Sequence, residues 1–203
     1  LYLVIGPFGG LQLGAVHSFV AVYTTAMFVT DLITAILLFT QFSILRSRAI
    51  LVIASGYLFT ALLIVPYVLA FPGVLAPNGL IGDLQTTARL YLMWHIGFPL
   101  FVLAYALSKD EETSNRFSQR EVRSAILRSV LLTMAGAAAA IFICVKGLPI
   151  LPRIMLDESQ FVPEWPYVVG APIALLCLIA LLVLWFRRRS ILDLFLMVVL
   201  CAY

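Results

Sequence analysis

Two ionisable residues stand inside long apolar runs, and chemistry is to be sought there first. Asp31 lies within Val22 to Ile44, and His95 within Thr87 to Leu107. Burying an ionisable group in a bilayer-length segment is expensive, so each marks a functional position by default. Counted from the outer end of each run, both groups sit ~12–14 Å deep at ~1.5 Å per helical residue. At matching height they could pair across helices. Such a pair would be either a ligand- or proton-sensing device or an interhelical hydrogen bond that serves packing.

Around His95 the run reads Trp94-His95-Ile96-Gly97-Phe98-Pro99. Pro99 lacks the N–H that would bond the carbonyl of His95, and Gly97 loosens the same turn. The outcome is either an interrupted helix lining a buried cavity or a plain proline kink. Pro66 predicts a kink in the preceding run. Tyr57, with Gln41 and Tyr105, lies toward the inner end of its run, where aromatic and polar side chains anchor at the interface. Arg89, a turn or less from the outer boundary, is expected to snorkel outward or to meet Asp83. The ligand-binding or switch candidates are therefore Asp31, Tyr57, Arg89, Trp94, His95, Gly97 and Pro99.

Catalytic chemistry finds no foothold. The sequence holds no Walker loop, zinc signature, nucleophile elbow or nucleotide fingerprint. No metal site and no cofactor is expected. His17 and His95 invite a bis-histidine haem, but no ligand spacing supports it. Cys144, Cys177 and Cys201 all sit in apolar runs without CxxC spacing, which predicts buried thiols.

The elements that carry these residues follow from composition. The 203 residues are 63% hydrophobic and 11% charged, and mean hydropathy is +1.08. A soluble domain is ~45–50% apolar and ~25% charged, so the apolar surface here requires a bilayer as solvent. Crossing the hydrocarbon layer takes ~20 apolar residues. Five stretches qualify: Val22 to Ile44, Ile50 to Phe71, Thr87 to Leu107, Ala125 to Val145 and Val168 to Phe186. Another begins at Ile191 and reaches Tyr203, and Leu1 to Ile5 reads as the tail of an earlier one. The fold class is an all-α polytopic transmembrane bundle, about seven spans with a partial first and a partial last. A chain that begins and stops inside apolar runs predicts one membrane domain, 1–203, cut from a longer protein of about eight spans.

Orientation follows from the basic residues. Arg46, Arg48, Lys109, Arg116, Arg120, Arg123, Arg128 and Arg187 to Arg189 fall in one set of connections. Arg89, Lys146 and Arg153 fall in the other. The positive-inside rule puts the richer set in the cytoplasm. The outer segments Phe71 to Gln85 and Gly147 to Tyr167 carry six prolines, Trp165 and Tyr167. The dispersed basic residues give no nucleic-acid face. In the longest inner loop, Ser118 to Glu121 fits a capping box, with Phe117 and Val122 placed for a hydrophobic staple. That predicts a helix starting near Gln119, in the cytoplasm.

Several segments together resemble a known family. They are Asp31 through Gln41-Phe42, Arg46-Ser47-Arg48, Tyr57 through Ala61, Phe71-Pro72-Gly73, Gly79 through Gly82, Gln85-Thr86-Thr87, Trp94 through Pro99 and Asp193 through Ala202. The pattern is similar to the fourth type of membrane-associated sensor domain, and it covers nearly the whole chain. The resemblance implies about eight helices placed N-terminal to a cytoplasmic signalling module. A GGDEF diguanylate cyclase, making cyclic di-GMP, is the usual module, and a histidine kinase is another. It assigns no catalytic residues. It implies a bacterial inner-membrane protein, with the bilayer, its own output module, a second copy and a small ligand as partners. A proton-coupled transporter using Asp31 and His95, or a haem or quinone redox unit, are the rival functions.

Overall fold

The computed structural model describes residues 17–109, 117–146, 151, 153–156, 160–187 and 190–202. Leu1 to Ile5, Arg116, Pro149, Pro152, Arg188 and Arg189 lie outside them. The regular structure of the described residues is helical, with one isolated β-bridge, Met155 to Phe161, and no strand among them. The helices are α1 (His17–Leu45), α2 (Arg48–Ala70), α3 (Leu84–Ser108), α4 (Val122–Lys146), α5 (Ala171–Phe186) and α6 (Ile191–Ala202). A π-helical turn, Pro166–Gly170, leads into α5. Among the described residues, counting that turn with α5, five helices are long and apolar enough to cross a membrane, and α6 is a shorter apolar helix. The expected bundle of apolar spans is the architecture found.

Helix ends show why the elements stop where they do. Ser47 caps α2 by accepting from the N–H of Ile50 at 3.4 Å. Asp83 caps α3 in a full reciprocal box: its carboxylate accepts from the N–H of Thr86, whose hydroxyl accepts from the N–H of Asp83. The start of α4 differs from expectation. It begins at Val122 rather than near Gln119, with the expected box half formed. The Glu121 carboxylate takes the N–H of Ser118 at 2.9 Å, as the box requires, and also its hydroxyl at 2.7 Å. These two donors hold the Glu121 carboxyl below its ordinary pKa. The first helical bond then runs from Ala125 to the carbonyl of Glu121.

α2 and α3 form the centre. Of α2's apolar span 67% is buried inside the protein, against 11% of the span that contains α5. The reason is a reciprocal exchange of rings for glycines. A Cβ at Gly56 of α2 would lie 2.7 Å from Cβ of Phe101 on α3. A Cβ at Gly97 of α3 would lie 2.4 Å from the Phe59 ring on α2. The two rings meet at 5.6 Å. Without a hydrophobic force between helices in lipid, such close backbone approach is what holds them. The helix continues through Pro66 in α2 and through Pro99 in α3. Neither is an interruption, and both prolines are buried against neighbouring helices. Large apolar side chains on α1, α4 and α5, such as Ile36, Leu132 and Leu175, face outward, as lipid-facing surfaces do.

Contacts sort the connections into two ends. At one end, the N–H of Phe117 reaches the carbonyl of Arg46 and its ring meets Phe42 edge-on at 5.4 Å. There too, Lys109 meets Asp193. This is the basic end. At the other, Thr87 donates to the carbonyl of Ala70 at 2.9 Å, and Gln85 donates to the carbonyl of Met155 in the segment before α5. Gly79 closes the α2–α3 turn with φ +77°, where a Cβ would lie 2.4 Å from the carbonyl oxygen of Ala70.

Candidate functional site

Near its middle, α1 presents Asp31 to α2. The carboxylate accepts from the Thr60 hydroxyl at 2.9 Å, and that hydroxyl also lies 2.9 Å from the carbonyl of Tyr57. Tyr57 packs edge-on to Phe98 at 5.0 Å. Asp31, Thr60, Tyr57 and Phe98 thus make a polar spot where α1, α2 and α3 meet. Thr60→Val removes the donor and leaves a half-buried carboxylate short of a partner, a loss of about 1–3 kcal/mol. Thermal unfolding of the variant in detergent measures it.

His95 belongs to a different neighbourhood. Tyr91, Trp94 and His95 share one face of α3 with Tyr67 of α2. Tyr91 and His95 stack at 3.8 Å, Trp94 and His95 at 5.3 Å, and Trp94 meets Tyr67 at 5.0 Å. Nδ1 of His95 lies 2.8 Å from the carbonyl of Tyr91, which can only accept. The proton therefore sits on Nδ1, and Nε2 accepts from the indole N–H of Trp94 at 3.4 Å. The neutral ring has both nitrogens engaged, an arrangement that does not favour haem ligation. His95 also borders a cleft of about 410 Å³ between α3 and α5, beside Trp165 and Cys177.

Arg89 lies on the same α3–α5 seam, toward the N-terminal end of α3. It borders a second cleft of about 310 Å³ whose other walls are all apolar. It is half-buried and makes no ion pair with Asp83. Its Nε is buried with no hydrogen-bond partner among the described residues. The Asp83 carboxylate is engaged by Thr86 instead, through N–H and hydroxyl both at 2.8 Å.

The candidates thus fall into two groups rather than one. Asp31 and Tyr57 face the α1–α2–α3 contact. His95 and Arg89 border the clefts on the α3–α5 seam, and Trp94 packs beside His95 against Tyr67 of α2. Gly97 and Pro99 serve the packing of α3, Gly97 by admitting the Phe59 ring.

One constellation was missed. At the basic end, Asp193 at the root of α6 is fully buried and its side chain gathers donors from the end of α3 and the connection before α6. Among them are the Lys109 ammonium at 2.5 Å, the Tyr105 hydroxyl at 2.7 Å and the N–H of Ser190 at 2.8 Å. Lys109 also lies 5.2 Å over the Tyr105 ring and 3.4 Å from the carbonyl of Arg187. Tyr105 is 3% exposed, so it does not anchor at the interface. The rule that singled out Asp31 applied equally to Asp193, an acid three residues into an apolar run. The network fastens the last helix to the end of α3.

Apolar helices packed into a multi-pass bundle, with polar side chains fastening helix to helix, define an integral membrane domain. The profile of the MASE4 family, described as a membrane-associated sensor, integral membrane domain, matches residues 14–203. The chain belongs to that family, and the sensor domain itself is not catalytic. Neither the curated proteins nor the solved structures gave a match.

Proposed function

We propose that this domain is the sensory input of a signalling protein in the bacterial inner membrane. Its basic end faces the cytoplasm, α6 runs outward from that end, and a further span returns the chain to a cytoplasmic output, a GGDEF diguanylate cyclase in preference to a histidine kinase. The protein works as a homodimer, as symmetric outputs require. Family membership supports the sensory part. The observation that carries the relay is the burial of Asp193 between Lys109, Tyr105 and the root of α6. A stimulus that changes how α3 packs on its neighbours changes the hold on α6 directly. A ligand shifts such a balance only through differential affinity for the two arrangements.

The test begins with the coding sequence beyond Tyr203, followed by an assay of the full-length protein for cyclic di-GMP synthesis. A further span, a GGDEF module and cyclic di-GMP formation are the expected result. A kinase module would replace the output and keep the sensory reading. A chain with no cytoplasmic module after its spans would overturn the reading.

A further inference from the structure

The second cleft on the α3–α5 seam has a property that the first lacks. Its one charged wall is Arg89, whose side chain is half-buried. An anion beside it would pair with a partly desolvated charge. Its Nε is buried without a partner among the described residues. The carboxylate in the adjoining loop, Asp83, is already committed to Thr86. The cleft therefore has a standing demand for an anion.

The rest of the wall says what the anion must carry. From Arg89 the α3 side continues through Leu92, Met93 and Ile96, and α5 faces it with Ile173 and Leu176. Seven residues of helix separate Arg89 from Ile96, roughly 10 Å. The charge lies near the outer end of α3, and the apolar wall descends toward the bilayer middle. Ile154 forms part of the wall at the outer end, and Gln85 fixes it. The Gln85 carbonyl oxygen accepts from the N–H of Ile154 at 2.8 Å, and its amide donates to the carbonyl of Met155 at 2.6 Å. A volume of about 310 Å³ lies near the bottom of the ~300–1,000 Å³ range of ligand sites, room for one alkyl chain rather than two.

We infer that this cleft binds a single-chain amphiphile with an oxyanion head, a free fatty-acid carboxylate held by the Arg89 guanidinium with its tail along α3 and α5. The site deepens the sensory reading by naming the ligand, and only its regulatory effect rests on that reading. Binding stands apart from it. A planar guanidinium offers two parallel donors to a carboxylate, whereas phospholipid phosphate brings two chains that the volume does not admit.

The test uses the full-length protein in nanodiscs of zwitterionic phosphatidylcholine, titrated with radiolabelled laurate. Saturable binding is expected, with dodecanol a weak competitor. Arg89→Gln should weaken laurate roughly tenfold to a hundredfold, the worth of a charge-assisted hydrogen bond. Ile173→Trp, which leaves Arg89 in place and fills the cleft, should abolish saturable binding. Both variants are compared with the parent by thermal unfolding, so that loss of fold is seen separately. Absence of saturable laurate binding to the folded parent, or equal affinity in folded Arg89→Gln, overturns the inference. Displacement of laurate by phosphatidylglycerol in the nanodisc also overturns it, by assigning the site to a lipid phosphate. Laurate that binds through Arg89 without changing output would leave the site standing and count against the sensory reading.

Discussion

Asp193→Ala is expected to destabilise the domain by about 3–5 kcal/mol, the penalty for leaving a buried charge uncompensated. The Lys109 side chain is 7% exposed and that of Asp193 is 0% exposed. Removing the carboxylate strands the ammonium, leaves the Tyr105 hydroxyl without its acceptor and strips the root of α6 of its bond to Ser190. Asp193→Asn should be milder, since an amide oxygen still accepts from Tyr105. Replacing both charges, Lys109→Met with Asp193→Leu, should recover most of the loss, because an apolar pair of similar volume often replaces a buried ion pair at no net cost. Thermal unfolding in detergent, with the two single variants and the double, checks it. A single variant that melts with the parent would mean that the pair is solvated in the bilayer.

The second large effect concerns the centre of the bundle, where two glycines make opposite demands. In Gly56→Ala the new methyl meets Cβ of Phe101 at 2.7 Å, an atom fixed to the backbone of α3. Nothing yields except the separation of α2 from α3, an overpacking loss of about 1–3 kcal/mol. In Gly97→Ala the methyl meets the far end of the Phe59 ring at 2.4 Å, and a ring can turn. The second substitution should therefore be the milder. A double-mutant cycle separates the two cases. Phe59→Ala should relieve Gly97→Ala, with a favourable coupling between the changes. Phe101→Ala should not relieve Gly56→Ala, because alanine keeps the Cβ that clashes.

These features divide by how much physics a single sequence exposes. Membrane-length apolar runs are legible because lipid imposes one requirement, ~20 apolar residues, on every span. The helix limits found at Arg48–Ala70 and Leu84–Ser108 accordingly lie close to the runs read from hydropathy. The start of α4 lies three residues past the expected one, because in the Ser-x-x-Glu box only the glutamate makes its bond, and the serine hydroxyl turns to that same carboxylate. Spacing alone does not decide whether both halves form. Gln85 stood in a family pattern without a mechanism. Its partners Ile154 and Met155 lie some seventy residues on, a distance that no local periodicity spans.

Partnership was the harder part of the site. Depth alone suggested Asp31 with His95, since helices of similar orientation bring equal depths together. Rotation about the helix axis decides which faces meet, and it turns Asp31 to Thr60 and His95 to the α5 seam. Lys109 was read by its charge as a marker of the cytoplasmic side, which hid its role as the counter-ion of Asp193.

The proposed relay from α3 to α6 is tested most directly by the proposed output. Cyclic di-GMP synthesis by full-length protein in nanodiscs is measured for the parent, Asp193→Asn, Lys109→Met and the double variant, each confirmed as folded by its melting. The relay predicts that either single change shifts the basal rate several-fold and that the double deviates from their product, since both act on one latch. Equal rates in all four folded proteins would contradict it and leave the Lys109–Asp193 pair a packing feature alone.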